Sequence, residues 1–329
     1  MRVAVLGTGR MGAYRAEWFG RRSEVERVLV GSRDGARAAA VAARVGGAAG
    51  TYEEVLAGAD AAVISTATPE HAPLIEACAS RRLPMLCEKP LAPTIEETER
   101  ALAVADAAGV EVQLSFQRRF DAGWRAARRL RAEGRLGILY TIRINSHDHE
   151  PSPPEYIPTS GGIFRDLHVH DFDIVRWFTG SEVESVYAVG AVRRWRRFGE
   201  QGDVDTAAVL LVLDDGLPVL VSGARHDPRG YDFRAEIFGS EDSIAVGLTP
   251  RTPLRPVEPG LEPRGEPYRG FLDRFAPAFE AEMEAFLDLV AARSPNPCPA
   301  SESIPALTIA LACDRSRAEG RPVPVGETR

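Results

Sequence analysis

Gly7-Thr8-Gly9-Arg10-Met11-Gly12 spells G-x-G-x-x-G directly after an apolar run and at the start of a helix-forming stretch. Glycines at that spacing permit a tight turn and close backbone approach, so a dinucleotide pyrophosphate can rest on the helix N-terminus. Gly7, Gly9, Arg10, Met11 and Gly12 are therefore candidate nucleotide contacts. The residue that reads a ribose 2′-hydroxyl is expected about twenty residues past the last glycine. Ser32 stands there, followed by Arg33. A hydroxyl and a guanidinium suit a 2′-phosphate better than a carboxylate does, which predicts that NADP is accepted. If Arg33 is only a solvated residue at a helix start, the cofactor is NAD.

A second signal is compositional. Of the 40 basic residues, 39 are arginine and one, Lys89, is lysine. A chain rich in Ala and Arg fits a coding bias that exchanges lysine for arginine wherever either will serve, and they do not interchange where a compact ammonium is needed. Lys89 lies in Cys87-Glu88-Lys89-Pro90, after an apolar run, at the strand end where open α/β sheets bind ligands. Further along, Asp166 and His170 stand at i and i+4. On a helix they share one face, so the carboxylate can set the imidazole's orientation and tautomer. Oxidising an alcohol requires hydride loss from carbon, which a nicotinamide accepts, and proton loss from oxygen, which a group of near-neutral pKa must accept. His170 is the candidate base, and Lys89 the cation that fixes the hydroxyl and stabilises a developing alkoxide.

Positioning these groups takes two domains, which 329 residues can supply. Apolar runs at 3–6, 28–30, 61–64, 85–87 and 112–116 alternate with helical stretches near 11–20, 36–45, 52–57, 72–82 and 95–108. That alternation predicts βαβ crossovers and a doubly wound parallel sheet. Thr94 with Glu97 reads as the capping box of the last of those helices. After Phe120, Asp121 can cap a helix to about 132. Strand-like runs follow at 139–145, 183–192, 206–213, 219–224 and 233–238, with one helix near 167–179 among them. Turns such as Asp214-Asp215-Gly216 predict a large, mostly antiparallel open sheet in an α+β domain. Residues 249–268 carry six prolines and read as a loop, and helices near 274–293 and 303–319 close the chain.

A net charge of −7 argues against nucleic-acid or anionic-membrane partners. No apolar run approaches a membrane span, and the opening residues form too short an apolar core for a signal peptide, so a cytoplasmic protein is expected. Cys78, Cys87, Cys298 and Cys313 show no C-x-x-C spacing and read as buried thiols of a reducing compartment. His147 and His149 lack a third ligand at metal spacing, so no metal is expected.

In order and spacing, the glycine-rich start, Ala67-Thr68-Pro69-Glu70-His71, Glu88-Lys89-Pro90 and Gly161-Gly162 with Asp166 and His170 resemble the glucose–fructose oxidoreductase and inositol dehydrogenase (Gfo/Idh/MocA) family. Phe116-Gln117-Arg118-Arg119-Phe120-Asp121 and His170-Asp171-Phe172-Asp173 are most similar to its inositol dehydrogenase branch. The resemblance implies a Rossmann domain, here over 1–118, then an α+β substrate domain over 119–329 that assembles dimers or tetramers through its sheet. It implies a catalytic triad of Lys89, Asp166 and His170. It implies cofactor contacts from Glu88 and from Thr66, Thr68, Pro69 and His71, and substrate contacts from Arg118, His147 and Tyr231. The implied activity is NAD(P)-dependent oxidation of a secondary hydroxyl of a cyclitol or sugar-like polyol, with myo-inositol the first substrate to try. Plain alternatives stand beside three of these residues: Arg118 with Arg119 as a solvated pair, Tyr231 as a strand residue packing its ring, and His147 as part of a polar strand end. Two rival functions remain, an NAD-dependent glycosidase of the same family and a non-catalytic dinucleotide-binding sensor.

Overall fold

The computed structural model describes residues 1–261 and 265–328 and divides them into two compact units. The first comprises Met1–Phe116 with Glu280–Ile304. Its six strands are β1 (Arg2–Leu6), β2 (Arg27–Gly31), β3 (Ala48–Gly50), β4 (Ala61–Ile64), β5 (Met85–Cys87) and β6 (Val112–Leu114). They pair in parallel in the order β3-β2-β1-β4-β5-β6. Val3, Ala4, Val5, Leu6 and all of β4 are buried without alternation, as a parallel sheet covered by helices on both faces requires. The helices begin where the sequence supplies caps. Asp34 accepts from the Arg37 amide, Thr51 and Glu54 form a reciprocal capping box, and Thr94 accepts from the Glu97 amide. The returning segment 280–304 closes the outer edge of β6: Leu114 N donates to Cys298 O at 2.8 Å and the Gln113 side-chain amide donates to Glu282 O at 3.0 Å.

The second unit, Gln117–Phe279 with Pro305–Arg329, is built on β7 (Leu139–His147), β8 (Val183–Ala191), β9 (Thr206–Leu213), β10 (Pro218–Ala224), β11 (Asp232–Gly239), β12 (Ser243–Val246) and β13 (Val323–Pro324). The order is β12-β11-β7-β10-β9-β8-β13, antiparallel except where β7 meets β10. Here burial alternates. Ile142, Ile144, Val209, Leu211, Val219 and Val221 point inward, whereas Tyr187, Leu210 and Leu220, partners in one cross-strand row, are exposed. The inner face is packed closely enough that a Cβ on Gly223 would stand 2.1 Å from His168 Nε2. Asp121 caps the helix Ala122–Ala132, whose Trp124 meets Phe178 of the helix Val169–Thr179 edge-to-face.

The fold class read from the sequence stands, with differences in the short elements. Ala48–Gly50, Ser243–Val246 and Val323–Pro324 are further short strands, of four residues or fewer, outside the runs expected from the sequence. Residues 249–261 and 265–268 form no helix or strand, and the remainder of that proline-rich stretch lies outside the described residues. All four cysteines are free and buried, and burial pushes the Cys78 thiol up to about 12. Among the described residues no helix is long and apolar enough to cross a membrane.

Candidate active site

In the first unit, the carboxyl ends of β2, β1, β4 and β5 stand side by side and carry Ser32, Gly7, Thr66 and Glu88-Lys89. Gly7 turns the chain at φ +105°, and a Cβ there would lie 2.4 Å from Ser65 O; one on Gly12 would lie 2.0 Å from Gly7 O. Neither position admits another residue without moving backbone. A Cβ on Gly9, by contrast, meets nothing within 4 Å. Gly9 is also the N-cap of the helix Arg10–Phe19, and no side chain caps that helix. Beside it, Ser65 Oγ and Thr66 Oγ1 are buried with no hydrogen-bond partner among the described residues. An open, uncapped helix start flanked by orphaned hydroxyls fits a dinucleotide pyrophosphate.

Around the adenosine end, Ser32 Oγ lies 3.3 Å from Thr8 Oγ1 and accepts from the Asp34 amide at 3.2 Å. Arg33 is largely exposed, with Nη1 2.8 Å from Glu70 Oε1, and Arg37 Nη2 donates to Thr8 O at 3.1 Å. Pro69 is exposed and Thr68 half-buried in the 3₁₀ turn Thr68–Glu70. His71 is buried. Its Nδ1 is 2.9 Å from Pro90 O and its Nε2 3.2 Å from Thr66 O. Burial lowers the imidazole's pKa from its usual range, and the ring sits between the turn after β4 and the turn carrying Lys89; when neutral it donates to one of the two carbonyls and only packs against the other.

Glu88 belongs to a buried charge cluster that no motif announces. Arg15, fully buried one turn beyond Gly12, donates from Nη2 to Glu88 Oε1 at 2.7 Å, to Ser115 Oγ at 2.7 Å and to Glu282 Oε2 at 2.9 Å. One guanidinium thus faces two carboxylates, and burial pushes the Glu282 carboxyl from 4.5 up to about 7. Because that value is raised on folding, the neutral acid is favoured: its stabilisation is complete below about pH 4.5 and lost as pH rises towards 7. The shift corresponds to about 3 kcal/mol. Glu282→Gln, which mimics the neutral acid, is expected to flatten the decline in melting temperature between about pH 4.5 and about pH 7. A variant whose melting temperature falls as steeply as the wild type's would exclude Glu282 as the source.

In the second unit, the chain leaves β7 at His147 and β10 at Ala224, and it enters β11 at Asp232 opposite His147, so one end of the sheet gathers His147, Asp148, Arg225 and Tyr231. His147 Nε2 is 3.0 Å from Ser222 Oγ, and its Nδ1 3.8 Å from Asp227 Oδ2. Tyr231 is buried with its ring edge-on to Phe275, and burial pushes its phenol up. Asp166 lies in a π-helical turn, Phe164–His168, that feeds the α-helix Val169–Thr179 carrying His170; both residues are half-buried. Arg225 Nη1 donates to Asp166 Oδ2 at 2.8 Å and the Tyr156 hydroxyl donates to Oδ1 at 2.8 Å.

Arg118 and Arg119 are not a solvated pair. Both are buried: Arg118 donates to Asp171 and, at 3.3 Å, to Ser146 Oγ, with its guanidinium 3.7 Å over the Phe233 ring. Arg119 donates to Asp173. His168 is fully buried with Nδ1 2.7 Å from Asp171 Oδ2. Arg15, Glu282, Tyr156 and Arg225 are the neighbours that the sequence reading missed. Arg15, at i+3 from Gly12, was the one with a local signal, and it was hidden among 39 arginines.

Residues 1–116 match the model of the oxidoreductase family with an NAD-binding Rossmann fold, and residues 124–245 match the GFO/IDH/MocA C-terminal domain. The chain is 38% identical to the myo-inositol dehydrogenase Hyg17 of Streptomyces leeuwenhoekii, over 99% of each chain. It superposes on the crystal structure of a myo-inositol dehydrogenase from Corynebacterium glutamicum with a TM-score of 0.89, at 30% identity and 98% coverage of both. A scyllo-inositol dehydrogenase from Lactobacillus casei, solved with NAD(H) and scyllo-inositol, gives 0.88 at 25% identity and 99% coverage of both. Together with the uncapped glycine turn and the ordered Glu88-Lys89 and Asp166–His170 motifs, these matches make the chain a member of the Gfo/Idh/MocA family of NAD-binding oxidoreductases.

Proposed function

We propose that this enzyme oxidises a secondary hydroxyl of a cyclitol, with myo-inositol the substrate to test first, and delivers the hydride to NAD or NADP. The observation that carries the reading is 38% identity over 99% of both chains to a protein named as a myo-inositol dehydrogenase, and the resemblance of the Lys89, Asp166 and His170 motifs to those of the family supports it. That name, and those of the two structural neighbours, favour net oxidation over a redox-neutral glycosidase or a sensor.

When bound, the nicotinamide supplies the hydride acceptor. The glycine turn, Ser32, Arg33, Thr66, Thr68, Pro69 and Glu88 hold the dinucleotide, while His71 braces two of the turns that carry these residues. Lys89 hydrogen-bonds the reacting hydroxyl and stabilises negative charge as it develops on oxygen. An imidazole nitrogen of His170 takes the hydroxyl proton, and the Asp166 carboxylate stabilises the imidazolium that results. The carbon that loses hydride and the oxygen that loses a proton become a ketone. His147 and Tyr231 bind further ring hydroxyls. Arg118 acts behind them, through Asp171 and Ser146.

Absorbance at 340 nm, read for a panel of cyclitols and hexoses with each cofactor, tests the reading. Stoichiometric NADH formation with myo-inositol is expected, and NADP is expected to serve as well, because Ser32 and Arg33 place no carboxylate against a 2′-phosphate. A kcat/KM overwhelmingly in favour of NAD would remove the phosphate role of Arg33, which Glu70 then merely pairs. Release of an aglycone without net reduction would replace the dehydrogenase by the glycosidase.

The exposed row Tyr187, Leu210 and Leu220 on the open sheet, with Val189 beside it, supports self-association as a homodimer or homotetramer through that face. Light scattering reads the mass directly, and a monomer at micromolar concentration would overturn the assembly.

A further inference from the structure

Arg225 is the first residue beyond β10 and only 2% exposed. Its backbone is pinned, since Arg225 N donates to Asp205 O at 2.8 Å and Asp148 N donates to Ala224 O at 2.8 Å. The guanidinium therefore hangs from the joined ends of three paired strands, β7, β10 and β9. Its Nη1 reaches Asp166 Oδ2 at 2.8 Å and lies 3.6 Å from Asp148 Oδ2. A second partner of the Asp166 carboxylate is Tyr156, at the end of a segment holding Pro151, Pro153 and Pro154, whose rings restrict the approach of the chain. Its hydroxyl meets the other carboxylate oxygen, Oδ1, at 2.8 Å.

We infer that Arg225 and Tyr156 are positioning residues that clamp Asp166, fixing the direction and the anionic state of the carboxylate that serves His170. The inference rests on the role assigned to Asp166 under the proposed function. A fully buried arginine is costly unless its charge is matched, and truncating one partner of such a pair strands the other. A guanidinium, moreover, fixes the direction of a carboxylate as a point charge does not. Other groups surround the clamp. Asp148 and Asp203 lie near Arg225, Arg165 is engaged with Asp314 at 2.9 Å, and His170 follows on the next helical turn. With Arg225 removed, Asp166 and Asp148 lose the guanidinium that both approach, so a proton binds more readily and the acidic limb of the rate profile moves to higher pH. Burial beside Asp166 pushes the Tyr156 phenol up, so it remains a donor across the working range.

The test compares Arg225→Met, Arg225→Lys and Tyr156→Phe with the wild type, using myo-inositol and NAD. Arg225→Met is expected to lower kcat by about 100-fold with KM changed by less than about threefold. Its acidic limb is expected to rise by about one pH unit. Arg225→Lys keeps the charge and is expected to regain about tenfold of the loss, and Tyr156→Phe to cost about three- to tenfold with a limb shift of the same sign. If Arg225→Met does not fold, the last two carry the test by their limb shifts. Wild-type kcat and limb in Arg225→Met, or unchanged limbs in both Arg225→Lys and Tyr156→Phe, would overturn the clamp. Should the wild type reduce neither cofactor with any cyclitol, the proposed function falls on its own. The clamp is then read from the His170 imidazole titration by NMR in selectively ¹⁵N-labelled protein. Arg225→Met, which removes the nearby cation, is expected to raise the titration midpoint relative to Arg225→Lys; an equal midpoint in the two variants and the wild type would overturn the clamp.

Discussion

Lys89→Arg is expected to lower kcat by about 10²–10³-fold although the positive charge is kept. The reason lies in how residue 89 is held. On one side Glu88 is fixed by its amide, which donates to Ile64 O at 3.0 Å, and by its carboxylate on the buried Arg15. On the other, Pro90 O is held at 2.9 Å from His71 Nδ1. With both neighbours anchored, the backbone cannot retreat to fit a side chain that is longer and ends in a plane rather than a point. The guanidinium then reaches past the hydroxyl it should contact. Cofactor affinity, measured by NADH fluorescence, is expected to hold, because the glycine turn is untouched. Near-normal kcat in this variant would dismiss both the ammonium's role and the inference drawn from the single lysine.

His170→Ala is expected to reduce kcat by about 10²–10⁴-fold, with a far smaller change in KM. The helix that carries His170 is firmly set at this point. Asp171 is bonded to Arg118, His168 and Ser146, and Asp173 to Arg119, all of them buried. Truncating the imidazole should therefore leave the fold intact and remove only the proton acceptor, which a melting curve can verify. An effect confined to KM would make His170 a binding residue instead.

Much of this was legible in the sequence, for identifiable reasons. The parallel sheet shows because β1 and β4 are buried on both faces and leave unbroken apolar runs. The glycine turn shows because sterics exclude a side chain at Gly7 and Gly12. Lys89 shows because the composition makes it singular. What stayed hidden depends on partners far away in the chain. For Arg118 and Arg119 a solvated pair stood open beside a substrate contact, because nothing local reveals Asp171 and Asp173 more than fifty positions on. Glu282 looks like any charged residue on a helix until Arg15, 267 positions earlier, comes within 2.9 Å. Arg225 is one of 39 arginines, and nothing local in the sequence points to Asp166, 59 positions earlier, as its partner.

The return of residues 280–304 to the first sheet bears on how the chain is made. By the time the ribosome has finished residue 116, every strand of the parallel sheet has been synthesised. At that moment Arg15 has Glu88 and Ser115 but not Glu282, and Leu114 lacks the carbonyl of Cys298. The nucleotide-binding unit is first to be translated and among the last to be completed, so a nascent chain must carry an unfinished sheet margin through most of its synthesis.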